Sequence, residues 1–448
     1  MRRLLPVLSA CAILVGCEPT SSVANRPPSE EPKPVAQVEP TSAPTVVAAP
    51  PPLTSAAPSP VPLTPPGPRP VVAERLQALV AKAHELGTDE LIIWQEGRVL
   101  DQFGADGAPI QSMSITKSVL GLAALILIQE GKLQLEQPVS EFFPAWKTGG
   151  KAKVLVRHLL SHSSGLSEPK STLPIYRSDD FVQYALDSKL EAQPGERFIY
   201  GNSASNLLSG LIEKASGKRA DRFVAERLFK PLGIARYWWS LDKAKHAHGM
   251  SGLHINAIGL LKLGQLVLGG RNTRQPNADD AKPLIDPDLL RRATTELAPV
   301  QPNHKRLGLL WWLIPETTEL GLTSDDIAAW QTAKLDPAFV VQMKPLVGRR
   351  FKTADEYREA VKALRPDDPE LERWDELTWK AGLPDVTYRF GPIIGCYSAG
   401  TLGQYLVILP RDRLIAVRMR KAPKRRKEHD PNDFPDFIER VRELVEAP

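Results

Sequence analysis

From Ser114 to Glu130 the chain is apolar on nearly every helical face, with Val119, Leu120, Leu122, Ala123, Ala124, Leu125, Ile126, Leu127 and Ile128 almost in succession and a stop at Gly131. A helix of that kind has no solvent side and must lie inside a domain. Whatever stands at its start is held rigidly. What stands there is Ser114, with Lys117 one turn later.

The flanking patterns supply the rest of a fold around this helix. Val71 to Leu86 has helical spacing and ends at Gly87; Leu91-Ile92-Ile93-Trp94 and Arg98-Val99-Leu100 read as a hairpin turning at Glu96-Gly97. Near the other end, Gln404–Leu409 and Leu414–Val417 flank Pro410-Arg411-Asp412-Arg413 as a second hairpin, and Asp436–Val445 is amphipathic. Between them lie helical segments around Arg157–Ser161, Asp179–Asp187, Ser203–Ser216, Ala220–Phe229 and Ile255–Leu268. The order predicts an α+β fold: an antiparallel sheet built from both chain ends and flanked by helices, with a mostly α region inserted. Residues 73–448 form this domain, and 316–383, charged and without simple alternation, form an insertion of no readable role.

The N-terminus reads as an address. Met1-Arg2-Arg3, an apolar stretch from Leu4 to Val15 and then Gly16 give the order of an export signal. Leu14-Val15-Gly16-Cys17 resembles the lipobox of bacterial lipoproteins, which makes 1–17 a signal peptide and Cys17 the lipidated residue; Leu8-Ser9-Ala10-Cys11 fits the pattern with too short an apolar core. From 18 to 72 the chain is mainly Pro, Ala, Ser, Thr and Val, which cannot bury enough surface to offset ordering, so a disordered spacer is expected. Extended, it would reach on the order of 100 Å. The expectation is a domain tethered by lipid to the periplasmic face of the cell envelope, the outer membrane favoured by Glu18, with plain secretion as the alternative. A net charge of +5 over 448 residues is too mild for a nucleic-acid surface. The basic run from Arg418 to Lys427 reads as a solvated loop, and Cys396 as a small core residue.

The chemistry rests on spacing. Ser114 and Lys117 share one face at a helix start. A Ser hydroxyl is a poor nucleophile until a base takes its proton; burial and a helix N-terminus both disfavour an ammonium, so a Lys placed there can serve as that base. The helix N-terminus and the Ser114 amide can also receive an oxyanion. Ser167-Glu168-Pro169-Lys170 and Ser240-Leu241-Asp242-Lys243 have the same spacing without an apolar helix behind them. A second element is Tyr200-Gly201-Asn202, placed before a helix that starts near Ser203.

With these two elements the chain resembles the serine β-lactamase and penicillin-binding-protein superfamily, and within it the class C β-lactamase, esterase and D-aminopeptidase branch. Arg157-His158-Leu159-Leu160-Ser161-His162-Ser163-Ser164-Gly165-Leu166, Pro231-Leu232-Gly233 and Ser251-Gly252-Leu253-His254 match the family in order. The resemblance implies the β-lactamase/transpeptidase-like fold. It implies that Ser114 is the nucleophile, that Tyr200 shares a proton network with Lys117, and that Asn202 bonds the substrate. It also implies that His158 and His162 shape the α region, although their spacing alone would permit a metal. No metal and no cofactor is expected.

At the third element the family has Lys-Thr-Gly or His-x-Gly, where this chain has Ser398-Ala399-Gly400-Thr401. Gly400 lets substrate lie against the strand, Thr401 can give a second oxyanion amide, and Ser398 replaces a cationic or imidazole group. Ser398, Gly400 and Thr401 are thus expected at the substrate. The change removes a partner for a substrate carboxylate and favours neutral ester or amide bonds of small or peptide-like compounds. A D-amino-acid-specific peptidase or β-lactamase on cell-wall substrates is the alternative, and a catalytically silent binding module a third. Trp311 and Trp312 read as sheet core.

Overall fold

The computed structural model describes residues 67–269, 283–299, 301, 305–364, 377–378, 383, 385–422 and 434–445. The expected signal peptide, Cys17 and almost all of the expected spacer lie outside the described residues. The last spacer residues are docked on the domain: Arg69 makes a two-pronged contact to the buried Asp412 carboxylate at 2.8 and 2.7 Å, and the Val72 amide donates to Leu444 O at 2.8 Å. The domain therefore begins near Arg69, a few residues before the expected boundary. Removing this guanidinium would leave Asp412 buried without its cation.

Seven antiparallel strands form the main sheet. In chain order they are β1 (Glu90–Gln95), β2 (Arg98–Phe103), β6 (Arg306–Leu307), β7 (Trp312–Pro315), β10 (Ile393–Gly400), β11 (Gln404–Leu409) and β12 (Leu414–Met419), arranged β2-β1-β12-β11-β10-β7-β6. The first strands thus pair with the last, as Ile92↔Val417 does, so the sheet joins both chain ends. The β1–β2 turn has φ of 44° at Glu96 and 88° at Gly97. Those two positive values are what a two-residue hairpin turn of matching twist requires.

Alternation along each strand divides the core. Leu91 and Ile93 face helix α1 (Ala73–Glu85) and the last described helix (Phe437–Arg442); Ile92 and Trp94 face the other side, with α2 (Ile115–Gln129) and a helix at Ala257–Gly269. Thirteen consecutive residues of α2, from Ile115 to Leu127, are buried, which is why its sequence has no polar stripe. The inserted α region packs on α2 through α3 (Asn202–Ser216), which ends at Gly217 with φ 70°. A small sheet of β3 (Ile110–Gln111), β5 (Leu253–Ile255) and β4 (Tyr237–Trp239) leads directly into the turn before α2.

The insertion is a subdomain with its own core. It opens from β7 and returns to β10 through a ribbon of β8 (Thr318–Gly321) and β9 (Thr387–Phe390), so its boundary runs past the expected residue 383. Trp330, Met343, Leu346 and Tyr357 are fully buried within it. Its described helices are Ser324–Thr332, Pro337–Met343 and Ala354–Leu364; in the last, Tyr357, Ala360, Val361 and Leu364 recur at helical spacing and turn to that core.

Candidate active site

Ser114 caps α2 at the end of a tightly fixed turn. Ser112 is buried, and both its amide and its hydroxyl donate to Leu253 O at 2.9 Å, while Thr116 Oγ1 accepts from the Leu253 amide at 3.2 Å. The small sheet therefore sets where the nucleophile stands. Met113, just before it, has φ 51°, a strained value for a side chain with a Cβ. Such strain survives only where surrounding contacts over-determine the backbone.

Lys117 is 3% exposed, and its amine meets three oxygens: Ser114 Oγ at 3.1 Å, Asn202 Oδ1 at 3.0 Å and Met250 O at 2.9 Å. None of the described carboxylates pairs with it. Two of the three partners are carbonyl oxygens and can only accept. An ammonium gives one N–H to each of the three oxygens; once the proton on the Ser114 side is lost, the two carbonyls keep the other two and the lone pair is directed at the Ser114 hydroxyl. The arrangement can draw a proton from Ser114 without moving the lysine.

Tyr200 reaches the amine with its ring. Lys117 Nζ stands 5.0 Å from the ring centroid, and among the described residues the phenol hydroxyl bonds neither Ser114 nor Lys117. His162 holds the tyrosine's backbone on both sides, its carbonyl accepting from Ile199 N–H at 2.7 Å and its Nδ1 from Gly201 N–H at 3.1 Å. Its ring also lies against Tyr200 at 4.6 Å. Burial, with the nearby Lys117 charge, pushes His162 down to about 3, so it is neutral and free to accept at Nδ1. His158 Nδ1 likewise accepts the Leu155 amide at 3.1 Å. Both imidazoles are thus engaged in shaping the α region, as the family resemblance implies.

The third wall is the end of β10. Its pairing with β7 stops at Tyr397↔Trp312, which leaves Ser398, Ala399 and Gly400 with an edge that β7 does not cover. A Cβ at Gly400 would stand 2.5 Å from Ser112 O and 3.1 Å from the Ser114 amide nitrogen. Only glycine allows the strand this close to the nucleophile turn. Thr401 follows, exposed, at the start of the β10–β11 turn. Ser398 departs from expectation: its hydroxyl is buried beneath the site, 2.7 Å from Ser118 Oγ, which in turn donates to Leu310 O at 2.6 Å. Period-two alternation explains it, because Cys396, Ser398 and Gly400 share the face turned to α2.

Trp311 is core, and Trp312, half-buried, packs on the sheet core beside Tyr397 as expected; its ring also lies nearly parallel to Tyr200 at 6.3 Å, so it forms an aromatic flank of the site as well.

A family model described as Beta-lactamase matches residues 76–433. The chain belongs to the beta-lactamase family. Protein flp of Staphylococcus aureus strain MRSA252 is 29% identical over 150 residues, 32% of this chain and 30% of that protein. The chain thus spans about 30% of the length of the first curated relatives it matches. D-alanine carboxypeptidase AmpC from Burkholderia cenocepacia superposes with a TM-score of 0.51 at 14% identity, covering 83% of this chain and 98% of that one. The beta-lactamase/D-alanine carboxypeptidase from Pseudomonas syringae gives 0.51 at 13% identity, covering 84% and 99%. These likenesses show the beta-lactamase fold.

Two polar residues beside this beta-lactamase-type site were missed in the sequence. Asn206, one turn after Asn202 on α3, accepts the Gly249 and Met250 amides at 2.8 and 3.1 Å and so turns the Met250 carbonyl toward Lys117. Glu168 accepts the Ser203 amide at 2.8 Å. A polar residue four positions after a motif Asn was the one available clue to Asn206.

Proposed function

We propose that this protein is a serine hydrolase that forms a covalent acyl-enzyme on ester or amide bonds of small or peptide-like neutral substrates. The observation that carries the reading is the amine of Lys117, whose two carbonyl acceptors leave its third direction on Ser114 Oγ. In this mechanism Ser114 Oγ bonds to the substrate carbonyl carbon as its proton passes to Lys117. The Ser114 and Thr401 amides receive the oxyanion. Collapse breaks the bond to the leaving group, which takes the proton directly from Lys117. Water then attacks the acyl ester, gives one proton back through Lys117 to Ser114, and releases the acid. Asn202 both holds the lysine and meets the substrate amide.

The buried position of the Ser398 hydroxyl supports neutral substrates, since neither a cation nor a free hydroxyl from residue 398 faces a substrate carboxylate there. A second reading, a D-amino-acid-specific peptidase, is favoured by the names of the two structural neighbours. We further propose attachment through Cys17 to the periplasmic face of the envelope, with release as a secreted protein the competing outcome. Turnover of p-nitrophenyl esters against D-Ala-D-Ala peptides tests the substrate class. Faster turnover of the esters is expected; turnover of the peptides alone would reverse the choice, and turnover of neither class would count against the hydrolase.

A further inference from the structure

Glu168 belongs to none of the roles described above. It follows Leu166 in a loop, and its Oε1 accepts the amide of Ser203, next to Asn202 in the first turn of α3. Its Oε2 is buried and has no hydrogen-bond partner among the described residues. A carboxyl with one oxygen on a helix start and the other left over is poorly explained as a cap alone, because an unpaired buried acceptor is costly. Burial pushes Glu168 up to about 7, while the Ser203 and Asn202 groups and the charge of Lys117 pull the other way. The titratable groups coupled to it are Lys117 on α2 and Tyr184 on the helix Phe181–Asp187, with Lys170 two residues along its own loop; His162, near Lys117, is neutral.

We propose that Glu168 is a positioning residue of this site: it holds the first turn of α3 so that Asn202 stays on the amine, and its charge sets how readily Lys117 takes the Ser114 proton. Coupling between two sites is reciprocal. If the lysine's charge makes Glu168 easier to ionise, the ionised carboxylate favours the ammonium, and a neutral Glu168 releases the amine to act as a base. The catalytic half of this inference rests on the serine-hydrolase reading, and the electrostatic half does not.

Two measurements separate them. Difference infrared titration of wild type against Glu168→Gln isolates this carboxyl from Glu90, which burial also raises to about 7. A midpoint near 7 is expected, and in Lys117→Met it moves higher, since the charge that eases ionisation is gone. An unmoved midpoint overturns the coupling whatever the protein catalyses. The second measurement is the rate at which a fluorophosphonate labels Ser114 as a function of pH. Glu168→Gln keeps a carbonyl acceptor for the Ser203 amide, so the cap persists while the charge is lost. Its rising limb should shift to lower pH, because the lost carboxylate no longer favours the ammonium. A limb that stays in place, with or without a uniform loss of rate, reduces Glu168 to a cap and overturns the proposal. Should Lys117→Met fail to fold, the Glu168→Gln comparison decides alone. A wild type that takes no label defeats the hydrolase reading instead, and the infrared midpoint still decides the coupling.

Discussion

Asn202 and Asn206 stand one turn apart on α3 and divide the holding of a single amine. Asn202 Oδ1 accepts from Lys117 directly at 3.0 Å, and Asn206 Oδ1 fixes the two amides that turn the Met250 carbonyl onto it. A buried lysine with flexible methylenes gains a fixed direction only from partners that are themselves fixed.

This division predicts two different losses. Asn202→Ala should cut kcat/KM on a p-nitrophenyl ester by about 100-fold or more with a small change in Tm, since it removes a group at the reacting centre. Asn206→Ala should cost about 1–3 kcal/mol of stability through orphaned buried amides, and a smaller, roughly tenfold, loss of kcat. Steady-state kinetics beside chemical denaturation checks both. Equal profiles for the two variants would contradict the division.

Gly400→Ala should displace the Ser112–Ser114 turn, because the new Cβ would sit well inside contact distance of Ser112 O. Fluorophosphonate labelling should slow by about tenfold or more, as a misplaced nucleophile loses its attack geometry. Labelling at the wild-type rate would show that strand and turn are farther apart than described.

His162 links pH to stability. Its proton affinity is lowered in the folded state to about 3, against 6.5 for a free imidazole. The unfolded chain therefore binds the extra proton first, and this contribution is complete above about 6.5 and is lost as pH falls toward 3. Glu168 acts in the opposite sense: raised from 4.5 to about 7, it contributes stability below 4.5 that is lost as pH rises through 7. Denaturant titrations should show His162→Asn losing less stability than wild type between pH 6.5 and 4, by up to about 1.4 kcal/mol per pH unit. Glu168→Gln should gain on wild type between pH 4.5 and 7. Parallel curves in either comparison would contradict the assigned ionisation.

What was legible in the sequence was local. Ser114 and Lys117 are fixed by one helical turn, the Glu96-Gly97 hairpin by turn chemistry, and α2 by its lack of a polar face. Asn202 was visible because it stands in a short motif. Met250 contributes a carbonyl, which any residue type supplies, and its direction depends on Asn206, 44 positions earlier. Glu168 and His162 act across 35 and 39 positions, and no spacing rule spans that range. The direction of Ser398 was within reach: taking Cys396 as core fixes the face two residues on. Trp312 was rightly placed on the sheet core beside Tyr397, but its second contact, with the distant Tyr200, follows no spacing rule. In the subdomain between β7 and β10, the helix Ala354–Leu364 was within reach, since Tyr357, Ala360, Val361 and Leu364 stand at helical spacing, whereas the other two described helices, of nine and seven residues, do not fill a periodic window.

The most direct measurement is mass-spectrometric mapping of the residue that a fluorophosphonate modifies in the intact domain, in wild type, Ser114→Ala and Lys117→Met. The account predicts one adduct, on Ser114, absent from Ser114→Ala and formed at least about 100-fold more slowly in Lys117→Met. An adduct that persists in Ser114→Ala, or one that forms in Lys117→Met at the wild-type rate, would contradict it.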